Sequence, residues 1–137
     1  MSQTSRTIIR LASKSRIALE RRRNYQVLLE GLSGLPGSRP LFPALPEGVV
    51  PFAFPLLVDE PARLFRPLKS QGVPIMRFGE FLSEEIRPDL FPEAIELSRR
   101  VFQFPCHQEM RPDELDWLVT TVRQELLTAA TKAGSGA

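Results

Sequence analysis

The chain has a single cysteine, Cys106, and a single histidine, His107. One cysteine cannot close an internal disulfide, and the adjacent pair falls short of the four ligands that a structural zinc site takes. Neither kind of staple holds this fold. Long apolar runs are missing as well. A run such as Val49 to Val58 is far too short to span a bilayer, and the N-terminal MSQTSRTIIR has no continuous apolar core of the signal-peptide kind. The expectation is a cytoplasmic protein with no membrane contact and no metal. A strong charge of one sign is also lacking: 18 basic residues against 16 acids leave a net charge of +2. Arg21-Arg22-Arg23 is the only dense basic cluster. Nucleic-acid binding calls for a broad basic face with interleaved aromatics or a recognised module, and neither is present. The Arg run therefore reads as a solvated or ion-paired helix face.

What is present is ordinary for one soluble domain. The 137 residues are 42% hydrophobic and 25% charged, and 13 prolines punctuate them. Such a chain buries roughly two-thirds of the surface that it exposes unfolded. From Arg16 to Leu32, Ile17, Ala18, Tyr25, Leu28, Leu29 and Leu32 recur at helical spacing, which predicts an amphipathic helix. Gly31, Gly34, Pro36 and Gly37 end it, and Gly34 to Gly48 reads as a Pro/Gly-rich connector within the domain. VVPFAFPLLVDE follows as a strand, with Phe52, Phe54, Leu56 and Val58 on one face. Pro55 cannot donate to a ladder, which predicts an edge strand.

Asp59 and Pro61 start a helix whose apolar stripe is Leu64, Phe65 and Leu68, and Gly72 stops it. Pro67 is irregular there. Val73 to Phe78 alternates as a second strand, with Val73, Ile75 and Arg77 on one face and Pro74, Met76 and Phe78 on the other. An acidic loop covers 79–92. A short helix at Glu93–Arg99, a third strand at Arg100–Phe104 and a final helix from Pro112 complete the pattern. Asp113 and Glu114 sit at the positive end of that last helix, and Leu115, Leu118, Val119, Val122 and Leu126 form its buried stripe.

The order helix, strand, helix, strand, helix, strand, helix predicts an α/β domain of the α+β sandwich type, with a small sheet of about three strands and helices mainly on one face. Residues 1–15 read as a flexible N-terminal segment, 16–127 as the folded domain, and 128–137 as a disordered tail. The other sheet face is left open. Phe52, Phe54, Met76 and Phe78 there predict an apolar surface that meets another domain or subunit.

Few residues recommend themselves for chemistry. Arg77 stands on an otherwise apolar strand face, where a guanidinium binds a carboxylate or phosphate bidentately or pairs with Glu80, Glu84 or Glu85 at the rim. Cys106 and His107 are neighbours in a turn and do not point at each other, so a structural turn is expected rather than a nucleophile and base. Arg99 and Arg100 complement a helix C-terminus. Trp117 flanks the buried stripe as a packing or interface residue.

The succession EAIELSRRVFQFPCHQEM followed by RPDELDWLVTTVRQELL resembles the C-terminal small domain of the DegT/DnrJ/StrS-type aminotransferases, pyridoxal-phosphate enzymes of fold type I. RRRNYQVLLEGL resembles that family's helix leading into the small domain, VVPFAFPLLVD its first small-domain strand, and LKSQGVPIMRF its next helix, turn glycine and strand. The likeness spans about Ile17 to Leu127 and implies a two-domain homodimer. In such an enzyme, pyridoxal phosphate forms an aldimine with a large-domain lysine and an amino group passes to a keto sugar. Only Lys14, Lys69 and Lys132 are available here, and none sits in a context like the family's catalytic lysine. No catalytic, cofactor-binding or metal residue is carried over to this chain.

The resemblance places Arg77 on the strand that runs toward the active-site mouth, as a substrate-binding residue. The His-Tyr pair often found near that strand is absent, so sugar specificity does not transfer. The implied function is that of a small domain or fragment, inactive alone, whose partner is a missing large domain or a second aminotransferase subunit within a homo-oligomer. The alternative is a free-standing, non-catalytic partner-binding domain derived from the same family.

Overall fold

A computed structural model describes residues 2–135, apart from the side chains of 8–12. Eight elements follow in order: α1 (Gln3–Leu32), β1 (Ser38–Pro40), β2 (Ala53–Val58), α2 (Pro61–Ser70), β3 (Met76–Arg77), α3 (Pro92–Arg100), β4 (Val101–Pro105) and α4 (Pro112–Gly134). The α/β expectation holds. The sheet has four antiparallel strands in the order β1-β2-β4-β3, one more than the three expected.

The core follows from the pleat of the two central strands. Phe54 lies opposite Phe104 and Leu56 opposite Phe102, so these four share a face, and all are fully buried. Against that face pack Tyr25, Leu28 and Leu32 of α1, Leu64 and Leu68 of α2, and Leu115, Leu118, Val122 and Leu126 of α4. The spacing in each helix puts its apolar residues on one side. Tyr25 meets Phe54 edge-on, with ring centroids 5.0 Å apart. On the other sheet face, α3 covers only the Leu57 and Val101 end, while Ala53, Pro55, Gln103 and Pro105 toward the opposite end are half-buried.

Three local expectations are corrected. β1 lies inside the stretch read as connector: Ser38, Arg39 and Pro40 pair with Val58, Leu57 and Leu56. β2 is therefore central, not an edge. Pro55 is accommodated because its carbonyl accepts from the Leu41 N–H just past the end of β1. In an antiparallel ladder a residue's N–H and C=O point to the same neighbour, so the missing donor faces a position where the edge strand has already ended. The second expected strand, Val73–Phe78, shrinks to Met76–Arg77, although Val73 and Ile75 are buried on the predicted side.

The ends of the chain differ too. Helix α1 continues through residues 3–15, where the sequence reading has a flexible segment; Ser2 caps it by accepting from the Ser5 N–H at 3.1 Å, and no Pro or Gly interrupts before Gly31. Helix α4 continues through 128–134 of the expected disordered tail, in an alanine-rich stretch of high helix propensity. The last two residues of that tail lie outside the described residues.

Candidate functional site

Arg77 occupies the last position of β3, opposite Phe102 on the helix-covered face. Its guanidinium carbon stands 4.1 Å from the centroid of the Phe65 ring, and Phe65 in turn meets Phe102 edge-on. The arrangement is a cation–π stack, favourable because the ring face is electronegative. Nε is buried without a partner. Among the described residues Arg77 forms no ion pair, and Glu80, Glu84 and Glu85 lie on the loop beyond it rather than against it. The stack fixes the aromatic-facing side of the guanidinium and leaves its terminal nitrogens uncommitted.

The second feature is the open sheet face. Phe52 is 76% exposed and stands as a ridge between two clefts of about 370 and 350 Å³. Phe42, Leu45, Val49 and Val50 line the first, and Ile75, Met76, Gln103 and Pro105 line the second. The expected apolar surface thus exists around Phe52, Met76 and Phe78, with one correction. Phe54 belongs to the core, because the strand's alternation begins only at Ala53 and turns Phe54 inward.

The Arg run explains how that surface is held. Arg22 donates to the carbonyls of Pro46 and Val49, Arg21 to the Pro51 carbonyl and the Gln108 side chain, and Tyr25 to the Phe42 carbonyl. Arg23 pairs with Glu20. One stretch of α1 therefore anchors the irregular 42–52 loop by its backbone carbonyls, which otherwise lack partners in a helix or sheet. The sequence shows the basic cluster but not this use of it, since the acceptors are backbone atoms more than 20 residues away.

The Cys106-His107 turn is structural. Burial pushes the Cys106 thiol up to about 11, against the weaker opposing pull of Arg21, so it stays protonated at neutral pH. Its S–H points to the Pro51 carbonyl at 3.7 Å. His107 accepts from the Glu109 N–H at Nδ1, and its carbonyl accepts from Asn24. Gln108 accepts from Arg21 through its side-chain Oε1 at 2.7 Å. Arg100 does more than face a helix dipole: it donates to the Val58 carbonyl and pairs with Asp59 and Glu96, clamping the end of α3 to the end of β2. Trp117 is 44% exposed beside Met110 and Pro74.

Pyridoxal phosphate does not fit the residues present. Its chemistry needs a lysine in an enclosed site, a carboxylate for the pyridine nitrogen and donors for the phosphate. Lys14 and Lys132 are exposed on helix surfaces, and Lys69 is exposed at the end of α2 beside a cleft without a lining carboxylate. Among the described residues no group of three or more His, Cys, Asp and Glu could hold a metal ion. None of the described helices is long and apolar enough to cross a membrane.

No protein-family model matches the sequence, and no curated protein matches it. Solved structures do. The aminotransferase TlmJ from Streptoalloteichus hindustanus is similar at a TM-score of 0.75 and 21% identity, over 88% of this chain and 35% of that one. DesV of S. venezuelae, solved with a ketimine intermediate, gives 0.74 and 21% over 86% and 34%. A DegT DnrJ EryC1 StrS aminotransferase from Brucella abortus gives 0.67 and 16% over 85% and 33%. The chain spans about a third of the length of the structures it matches, and over that length it has the fold of a DegT/DnrJ/EryC1/StrS-type aminotransferase, as the sequence resemblance implies.

Proposed function

We propose that this chain, over residues 16–127, is the small domain of a pyridoxal-phosphate aminotransferase acting on a keto sugar, and that it has no activity without a large domain that supplies the lysine and the cofactor site. The observation that carries this reading is the fold match, which takes in most of this chain and only a third of each aminotransferase. The exposed Phe52 ridge and its two apolar clefts support it, since an apolar face of this kind is what a partner domain covers. That partner is the large domain of such an enzyme, whether on the same polypeptide or another, or a second aminotransferase subunit in a cytoplasmic homo-oligomeric assembly. Arg77, with its ring-facing side fixed by Phe65, is the residue proposed to meet an anionic group of the substrate at the edge of the domain.

The test is recovery of the tagged chain from its native cell, followed by borohydride reduction of whatever co-purifies. The expected result is absorption in the visible aldimine region, with the label fixed on a lysine outside the 137 residues of this sequence. Recovery of a folded chain alone would remove the reading and favour a free-standing binding module. So would a stoichiometric label on Lys14 or Lys69.

A further inference from the structure

We propose that the cleft between the Phe52 ridge and β3 is a binding site for a small aromatic acid, a body of one or two flat rings bearing a carboxylate. Register sets its floor. On the sheet face away from α1, α2 and α4, Gln103 of β4 lies opposite Met76 of β3, and Pro105 lies opposite Ala53 of β2. The floor is therefore three strands wide, about 10 Å. Phe52 and Pro74 also line the cleft, whose volume of about 350 Å³ is at the small end for ligand sites. Phenyl, thioether and pyrrolidine surfaces of this kind pack well against a flat apolar ring. Arg77 belongs to the opposite sheet face, so this cleft is separate from the site described above.

The polar lining chooses the charge. Arg21, Lys69, His107 and Gln103 line the cleft, and among the described residues no carboxylate does. Arg21 is held in place: Nε donates to Gln108, one terminal nitrogen donates to the Pro51 carbonyl, and the guanidinium carbon stands 6.0 Å from the centroid of the Phe52 ring. Among the described residues its other terminal nitrogen makes no hydrogen bond. Lys69, in the last turn of α2, enters no ion pair among them either. His107 accepts the Glu109 N–H at Nδ1, so its neutral ring carries the proton on Nε2 and donates there. Two cations and a ring N–H thus border an apolar floor. A carboxylate suits this set, because guanidinium and ammonium groups both give it charge-assisted hydrogen bonds. A cation in the cleft would meet only like charge.

The experiment titrates the full chain, carrying isotope-labelled methionine methyls, with three probes that share one ring system: naphthoate, naphthylmethanol and naphthylmethylamine. Of the three methionines, Met1, Met76 and Met110, Met76 lines the cleft. Naphthoate should move the Met76 methyl resonance by its ring current and saturate with a Kd on the order of 0.1 mM. The alcohol should bind about tenfold more weakly and the amine more weakly still. Lys69 is exposed, so Lys69→Glu should leave the fold intact and abolish the preference for naphthoate over the alcohol. Phe52→Ser should weaken all three probes alike, and circular dichroism confirms that both variants are folded. Equal binding of the three probes to the wild type would overturn the proposal. So would a naphthoate shift at Met110 alone, no shift at any methyl, or a preference for naphthoate that survives Lys69→Glu. The aminotransferase reading is tested separately by the borohydride labelling, and neither result decides the other.

Discussion

Asn24 donates its side-chain N–H to the carbonyl of His107 at 2.7 Å, linking the middle of α1 to the turn before α4 across 83 residues. Asn24 is fully buried, and its Oδ1 has no protein partner. The bond closes one end of the core, because the same turn carries Cys106 inside and Gln108 against Arg21. Asn24→Ala removes one of the two donors to the His107 carbonyl, which keeps the Met110 N–H, and should cost about 0.5–1.5 kcal/mol. The urea midpoint reads this directly, and an unchanged midpoint would mean that the bond contributes nothing net.

Gly31 of α1 lies directly against Val119 of α4. A Cβ built there would stand 2.5 Å from Val119 Cγ1, and a valine on a helix is held in one χ1 rotamer and cannot swing aside. Gly31→Ala should therefore destabilise the protein by about 1–3 kcal/mol, despite the better helix propensity of alanine. Adding Val119→Ala should recover part of the loss. Thermal melts of the two single variants and the double variant test this; additive losses would show that the two sites do not touch.

Cys106 makes stability fall in alkali. Its folded pKa of about 11 lies above the ordinary thiol value of 9.0, so between these pH values the unfolded chain releases a proton that the folded chain keeps. The stabilisation is complete below about pH 9 and is lost as the pH rises toward 11. Burial also raises the Tyr25 hydroxyl, which adds to the same decline. Denaturation midpoints at pH 8 and 10.5 should differ less for Cys106→Ala than for the wild type. In the folded protein at pH 8, iodoacetamide should label Cys106 only at the rate of unfolding.

Phe52 and Phe54 separate docking from folding. Phe54→Ser removes a fully buried ring and should unfold the domain, whereas Phe52→Ser alters a ring that is 76% exposed and should leave stability within about 0.5 kcal/mol. Light scattering in 0.5 M salt across a concentration series should show apolar self-association of the wild type that Phe52→Ser reduces. Equal scattering from both would mean that the ridge is not sticky.

The α4 stripe was legible because Leu115, Leu118, Val122 and Leu126 repeat at the helical period, and all four are buried. The same holds for Leu64 and Leu68 of α2. β1 was illegible: Ser-Arg-Pro has no strand pattern, and its pairing depends on β2 being brought alongside it. Phe52 was misplaced with the strand because alternation does not reveal where a ladder begins. Arg77 stood out in the sequence as a charge on an apolar face, but its platform, Phe65, lies 12 residues earlier on another element. Pairings between distant elements leave no periodic trace.

The short edge strands have a consequence for how this protein fails. One edge of the sheet is β1, three residues ending in Pro40; the other is β3, two residues preceded at Pro74 by a second proline. An incoming strand needs a run of free N–H and C=O groups, and proline removes a donor at or beside both borders. Growth by strand addition, the route to fibrils, is blunted on both sides. Aggregates formed by this chain should therefore be amorphous and should not bind thioflavin T.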